Sequence, residues 1–208
     1  MIITVAHQKG GVGKSTVVVN LAVEMQLPVI DLDSQHSCYL FSLIRKQDHG
    51  KTLAVFTPED LDEIKRILAE LEESDVIIDS GGYDNDLNRF ALVASDVVIT
   101  PVSPSQIEIF GLQKFATIVD RARKYNPELK VYVLINNADA RSTTEIISLK
   151  KFIEGLDSFK LLKTQLFRRV DYRRAYQHGL SVCEYNAGSK ACNEIKRLVR
   201  EIKELNIK

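Results

Sequence analysis

Lys9, Gly10, Gly11, Val12, Gly13, Lys14, Ser15 and Thr16 follow one another near the start of the chain. Glycines let backbone N–H groups turn inward and approach an anion closely. Lys14 adds a charge that reaches the β- and γ-phosphates of a nucleotide, and Ser15 adds a hydroxyl of the kind that ligates Mg²⁺. The run predicts a cradle for ATP, and for its product ADP, with Mg²⁺. Aligned on Gly13-Lys14-Ser15, the common G-x-x-x-x-G-K-[ST] pattern would start with a glycine where this chain has Gln8. The form here is K-G-G-x-G-K-[ST], with an additional lysine at position 9.

Two further segments end in carboxylates. Pro28-Val29-Ile30-Asp31-Leu32-Asp33-Ser34-Gln35 reads as a strand whose end carries Asp31 and Asp33. Asp75-Val76-Ile77-Ile78-Asp79 reads as another, ending in Asp79 and followed by Ser80-Gly81-Gly82. Strand ends beside a phosphate loop are where metal and water ligands sit. Asp79 is expected to hold Mg²⁺ through water. Gly81-Gly82 suits a flexible switch loop. No strong general base is specified beside the loop, which fits slow hydrolysis that a partner stimulates, since phosphoryl transfer depends on positioning and electrostatics.

The sequence Lys9-Gly10-Gly11-Val12-Gly13-Lys14-Ser15-Thr16 resembles the deviant Walker A motif of the ParA/MinD ATPases. The resemblance extends along nearly the whole chain, and its compact length is similar to small plasmid-type ParA proteins. It implies that Lys9 reaches across a homodimer to the partner's nucleotide. It implies that Asp33 orients the attacking water and that Asp31 sits near the metal, with Ser15, Asp33 and Asp79 as the metal residues. Lys9, Lys14 and Asp33 would then be catalytic. Leu134-Ile135-Asn136-Asn137 resembles the segment that reads adenine, through Asn136 or Asn137, although an ordinary Asn-Asn turn is the alternative. Three departures stand out. Ser34 replaces a proline, the stretch from Asn20 to Asp33 is short for the family, and Phe167 stands where many relatives have proline near the base.

These residues need a scaffold that brings strand ends together. Ile2 to Val5 is a buried strand and Lys14 to Met25 a helix. Further along, residues 36–47 read as a helix and Thr52 to Phe56 as a short strand. Thr57-Pro58-Glu59-Asp60 reads as a helix start capped by threonine. Strands are expected at 75–79, Val97 to Pro101, Leu129 to Asn136 and Leu161 to Phe167. Helices are expected from Gln106 to Tyr125, after a capping box at Ser142-Thr143-Thr144-Glu145, and within Gly188 to Leu205. Alternation of this kind predicts a single α/β domain over 1–208, a mainly parallel sheet with helices on both faces.

Zero net charge hides a split: 8 basic and 16 acidic side chains in residues 1–104, against 20 and 12 in residues 105–208. Lys160, Lys163, Arg168, Arg169, Arg173 and Arg174 face only Asp171 in their segment, with Tyr172 and Tyr176 interleaved. Such a cluster is either a non-specific DNA surface or a solvated basic face. The resemblance points to DNA, bound by the ATP-loaded dimer and released when a centromere-binding, ParB/ParG-like adaptor stimulates hydrolysis. The last helix has an apolar face that suits core packing, and a basic face open to DNA or to a membrane surface. No membrane span or signal peptide is read, so a cytoplasmic, nucleoid-associated protein is expected. Cys38, Cys183 and Cys192 lack C-x-x-C spacing and read as reduced, packed thiols. A MinD-like membrane-positioning ATPase and a phosphoryl-transferring synthetase are the rival readings; an electron-donating ATPase would need paired cysteines at a dimer interface.

Overall fold

The computed structural model describes residues 1–82 and 85–205, with residues 106–108 described by backbone alone. Strands β1 (Ile2–Val5), β2 (Val29–Asp31), β3 (Val55–Phe56), β4 (Val76–Asp79), β5 (Val97–Val102), β6 (Lys130–Ala138) and β7 (Lys160–Phe167) form one sheet. Its order is β3-β2-β4-β1-β5-β6-β7, and every pairing is parallel. Helices α1 (Lys14–Met25), α2 (Ser37–His49), α3 (Leu61–Glu70), α4 (Asp86–Ala94), α5 (Gln106–Arg123), α6 (Thr143–Glu154), α7 (Val170–Gln177), α8 (Val182–Tyr185) and α9 (Lys190–Glu204) complete the described chain.

Parallel strands buried on both faces are the reason the strand segments read as continuous apolar runs. Alternate residues feed opposite layers. Ile3, Val5, Ile77, Val97 and Ile99 pack with α1, Cys38 and Phe41 of α2, and the inner face of α9. Val98, Val131, Val133 and Ile135 pack with α5 and α6, while Ile30, Val76 and Ile78 pack with α3 and α4. The last helix covers the sheet through Ile195, Leu198 and Ile202, which are fully buried.

The stretch from Asn20 to Asp33 holds the end of α1 and the whole of β2. Gln26 ends α1 in the left-handed conformation (φ 57°), and β2 is only three residues long. Several local expectations differ from the structure. Helix α3 is capped by Asp60, which accepts from the N–H groups of Asp62 and Glu63, rather than by Thr57. Ser142 precedes α6 without a side-chain cap bond; the capping box lies instead at Ser181 and Glu184. Cys183 and Cys192 are joined as a disulfide between α8 and the first turn of α9, so of the three cysteines only Cys38 is the free, buried thiol expected. The fold brings their Cα atoms to 4.5 Å although they stand nine positions apart, a proximity that spacing does not reveal. Among the described residues no helix is long and apolar enough to cross a membrane.

Candidate functional site

All seven strands point the same way, so the segments leaving β1, β2, β4 and β6 gather at one edge of the sheet. Ligands of open α/β sheets bind at this edge. Here the edge holds a cavity of about 600 Å³, lined by Gly10 to Val17, Asp33, Gln35, Asn136, Asn137 and residues of the segment after β7.

The loop after β1 takes its shape from two left-handed glycines, Gly11 (φ 78°) and Gly13 (φ 90°). Gly13 is the N-cap of α1 and offers no side-chain cap, so the first N–H groups of α1 remain directed at the cavity. That is the arrangement a phosphate requires. Asn136, at the end of β6, braces the loop: its Nδ2 donates to the Val12 carbonyl at 2.7 Å. Asn137, also in the left-handed region (φ 52°), instead accepts from Arg168 Nε at 3.3 Å. The two amides therefore face different tasks, one on the loop and one on the outer wall.

Lys14 is buried, and its Nζ donates to the Lys9 carbonyl at 3.4 Å. Burial lowers its pKa, against the pull of Asp79 and Asp33. Lys9 is exposed and is absent from the cavity wall that Lys14 helps to form. Gly82 leans on the loop from behind: a Cβ there would stand 3.5 Å from the Gln8 carbonyl oxygen and 3.6 Å from the Gly10 nitrogen. Gly81 N donates to Asn88 Oδ1 at 3.0 Å, which ties the segment after β4 to α4. The expected switch loop thus begins in contact with the phosphate loop and continues beyond the described residues.

The three aspartates have separate surroundings. Asp31 and Asp79 are register partners at the ends of β2 and β4, and both are fully buried. Asp31 is the helix cap that α2 lacks from its own N-cap, His36: its Oδ2 accepts from Cys38 N at 2.9 Å and Tyr39 N at 3.2 Å. Asp31 Oδ1 accepts from Asp33 N at 3.1 Å. Burial raises its pKa against these bonds. Asp33 is half-buried on the cavity wall, with Oδ1 accepting from Gln35 N at 3.0 Å. Asp79 Oδ2 accepts from the Cys38 thiol at 3.1 Å, whereas Oδ1 has no hydrogen-bond partner. Burial pushes the Asp79 carboxyl up to about 7, with Ser15, Cys38 and Lys14 acting against the rise and Asp31 adding to it.

Asp79 Oδ1 is a buried oxygen with no hydrogen-bond partner, and Ser15 stands close enough to the same carboxyl to lower its pKa. Among the described residues no group of three or more His, Cys, Asp or Glu side chains converges as a metal cage. Magnesium needs none, since it keeps water and takes one or two protein oxygens plus substrate phosphates. Ser15 and Asp79 fit that demand.

Sequence reasoning passed over His7 and read Tyr172, Tyr176, Arg168, Arg169 and Arg173 only as parts of a basic patch. His7 is buried, its Nδ1 accepts from Lys9 N at 2.9 Å and its ring stacks on Phe115. Burial, then Lys14 and Lys9, lower its pKa to about 4, so the imidazole is a neutral strut for the loop. Tyr172 and Tyr176 belong to the cavity wall, and Tyr176 Oη donates to the Ser37 carbonyl at 2.7 Å. Arg168, Arg169 and Arg173 line the same cavity. Arg169 is committed to buried Glu194 at 2.6 Å, which also accepts from Phe167 N and Tyr172 Oη, and it stacks over the Phe167 ring. Lys160, Lys163 and Arg174 are exposed and lie outside that wall.

The fold has counterparts. The "Maintenance of carboxysome distribution protein A" of Halothiobacillus neapolitanus is 26% identical over 207 residues, covering 96% of this chain and 95% of that protein. A Borrelia burgdorferi protein assigned to plasmid partition, solved with AMPPNP, superposes with a TM-score of 0.74 at 20% identity, over 97% of this chain and 98% of its own. Cobyrinic acid a,c-diamide synthase from Mycobacterium smegmatis, solved with ADP and magnesium, superposes with a TM-score of 0.67 at 20% identity, over 98% and 95%. Residues 3–182 match the description "CobQ/CobB/MinD/ParA nucleotide binding domain". With its glycine loop, its buried Lys14 and its strand-end aspartates on that same stretch, the chain belongs to this family of P-loop nucleotide-binding domains.

Proposed function

We propose that the chain is an ATP-dependent, dimerising switch ATPase of DNA partition. The observation that carries the reading is the separation of its two loop lysines. Lys14 is buried in the chain's own cavity, whereas Lys9 is exposed beyond the wall of that cavity. This placement agrees with the resemblance to the ParA/MinD ATPases, which assigns Lys9 to the phosphates of a second copy. Lys14 and the α1 N-terminus bind the phosphates, and Ser15 and Asp79 would hold Mg²⁺, which would supply positive charge to offset that of the phosphates. Asp33, half-buried on the wall, orients the attacking water. The Asn136-braced loop and the wall formed by Asn137, Phe167 and Arg168 hold the nucleoside. Hydrolysis removes the γ-phosphate that keeps the two copies together, and the dimer parts.

DNA contact belongs to the basic surface outside the cavity. Lys160, Lys163 and Arg174 remain available there. A groove of about 480 Å³ around the Arg169–Glu194 pair is lined by Lys190, Lys196, Arg197 and Arg200 of α9, and Lys163 shares a neighbouring hollow with Arg197. Arg168 and Arg173, which the sequence groups with the DNA-binding residues, are assigned to the nucleotide wall. Such a surface contacts phosphates without reading sequence. The carboxysome-distribution relative supports a second reading of the cargo, in which the same switch distributes a body other than DNA.

Retention on DNA with ATP and Mg²⁺, measured across a salt series, tests the DNA reading. Retention that needs ATP and falls steeply with salt is expected. Absence of retention at low salt, with nucleotide bound, rejects it and leaves the second cargo. ATP-dependent flotation with anionic vesicles would instead favour a membrane-positioning ATPase.

A further inference from the structure

The loop, Lys14 and the aspartates do not account for Cys38. It lies at the start of α2, fully buried, between the two buried carboxylates at the ends of β2 and β4. Its main chain is clamped by one of them: Cys38 N donates to Asp31 Oδ2 at 2.9 Å. Its side chain donates to the other: Cys38 Sγ lies 3.1 Å from Asp79 Oδ2. Asp79 Oδ1 is left with no hydrogen-bond partner in the protein. A thiol is a weak donor, but in a dry site a single fixed donor decides which oxygen of a carboxylate stays available. Packing alone would be served as well by an apolar side chain of the same size.

We propose that Cys38 is a positioning residue for the magnesium site. Its thiol holds Asp79 Oδ2 and so leaves Oδ1, the oxygen with no partner in the protein, to be offered to the metal or its coordinated water. The inference rests on the reading of Ser15 and Asp79 as the magnesium residues. Asp31 has a second role in it, because by fixing the α2 terminus it fixes where the thiol points.

The test is a Mg²⁺ titration of binding of a fluorescent ATP analogue, together with its affinity in EDTA, for wild type and Cys38→Ser, Cys38→Val and Cys38→Ala. Serine keeps a donor, valine keeps the volume without one, and alanine covers a site that rejects the extra carbon of valine. Loss of the donor should raise the Mg²⁺ midpoint about tenfold, as outer-shell substitutions do. The EDTA affinity should be unchanged, and serine should stay close to wild type. A wild-type midpoint in the valine or alanine variant overturns the proposal, as does an equal shift in serine and valine or an equal loss of affinity in EDTA. If wild type binds the analogue with no response to Mg²⁺, the magnesium reading itself falls, and this inference with it.

Discussion

Gly13→Ala is the substitution with the most local consequences. Gly13 has φ 90°, a conformation that costs an L-residue about 1–2 kcal/mol. The new Cβ would also stand 2.6 Å from Asn136 Nδ2. That atom ends a side chain, so the overlap is relieved by moving Asn136 rather than backbone. Moving it breaks the 2.7 Å bond to the Val12 carbonyl, a loss of about 1 kcal/mol. The sum is about 2–3 kcal/mol, or a fall in Tm of about 4–12 °C for a chain of this size. Nucleotide affinity should fall too, because the brace on the loop is gone. A thermal melt and a nucleotide titration of Gly13→Ala, Asn136→Ala and the double variant measure both effects. The two substitutions share one bond, so the double variant should cost less than the sum of the singles by about 1 kcal/mol. Strict additivity, or a Gly13→Ala melt matching wild type, refutes the brace.

Other outcomes follow from the same site. Burial holds Asp79 near 7, so its carboxyl is neutral in the folded, metal-free protein at pH values where the unfolded chain ionises it. Its stabilising contribution is complete below its ordinary 3.8 and lost as pH rises through about 7, at up to about 1.4 kcal/mol per pH unit. Urea melts of wild type minus Asp79→Asn between pH 5 and 8 should show that slope, and a flat difference rejects it. His7, lowered to about 4, acts in the opposite sense as pH falls below 6.5, but it cancels in this difference. Glu194→Ala removes the acceptor shared by Arg169, Phe167 N and Tyr172 and should cost about 2–4 kcal/mol in a denaturant melt, whereas an exposed-pair value under about 1 kcal/mol would deny its organising role. Lys163→Ala should reduce the salt slope of DNA retention by about one, against no change if the basic face is merely solvated.

What was legible in the sequence is what short-range chemistry writes there. The glycine loop, the strands ending in Asp31 and Asp79, and the capped amphipathic segments state their conformations within a few residues. Helices α4, α7 and α8 are only nine, eight and four residues long, which leaves an apolar period little room to repeat, and none is among the elements expected from the sequence. Composition counts charges and not directions: of the basic residues read as a DNA patch, Arg168, just after β7, and Arg173, on α7, also line the cavity. Asp31, which the resemblance sets near the metal, has both oxygens engaged by backbone N–H groups that fix the start of α2 and Asp33, contacts that its position in the sequence does not announce. Cys38 and Glu194 act on partners 41 and 22–27 positions away, distances that only the sheet order closes.

The placement of Lys9 is the centre of the account. Solution mass of wild type and Lys9→Ala, each saturated with a non-hydrolysable ATP analogue and Mg²⁺, tests it most directly. Wild type should shift from 23.5 kDa to twice that mass, and Lys9→Ala should bind the analogue yet remain at 23.5 kDa. A wild type that binds the analogue as a monomer, or a Lys9→Ala variant that doubles its mass as wild type does, contradicts the account.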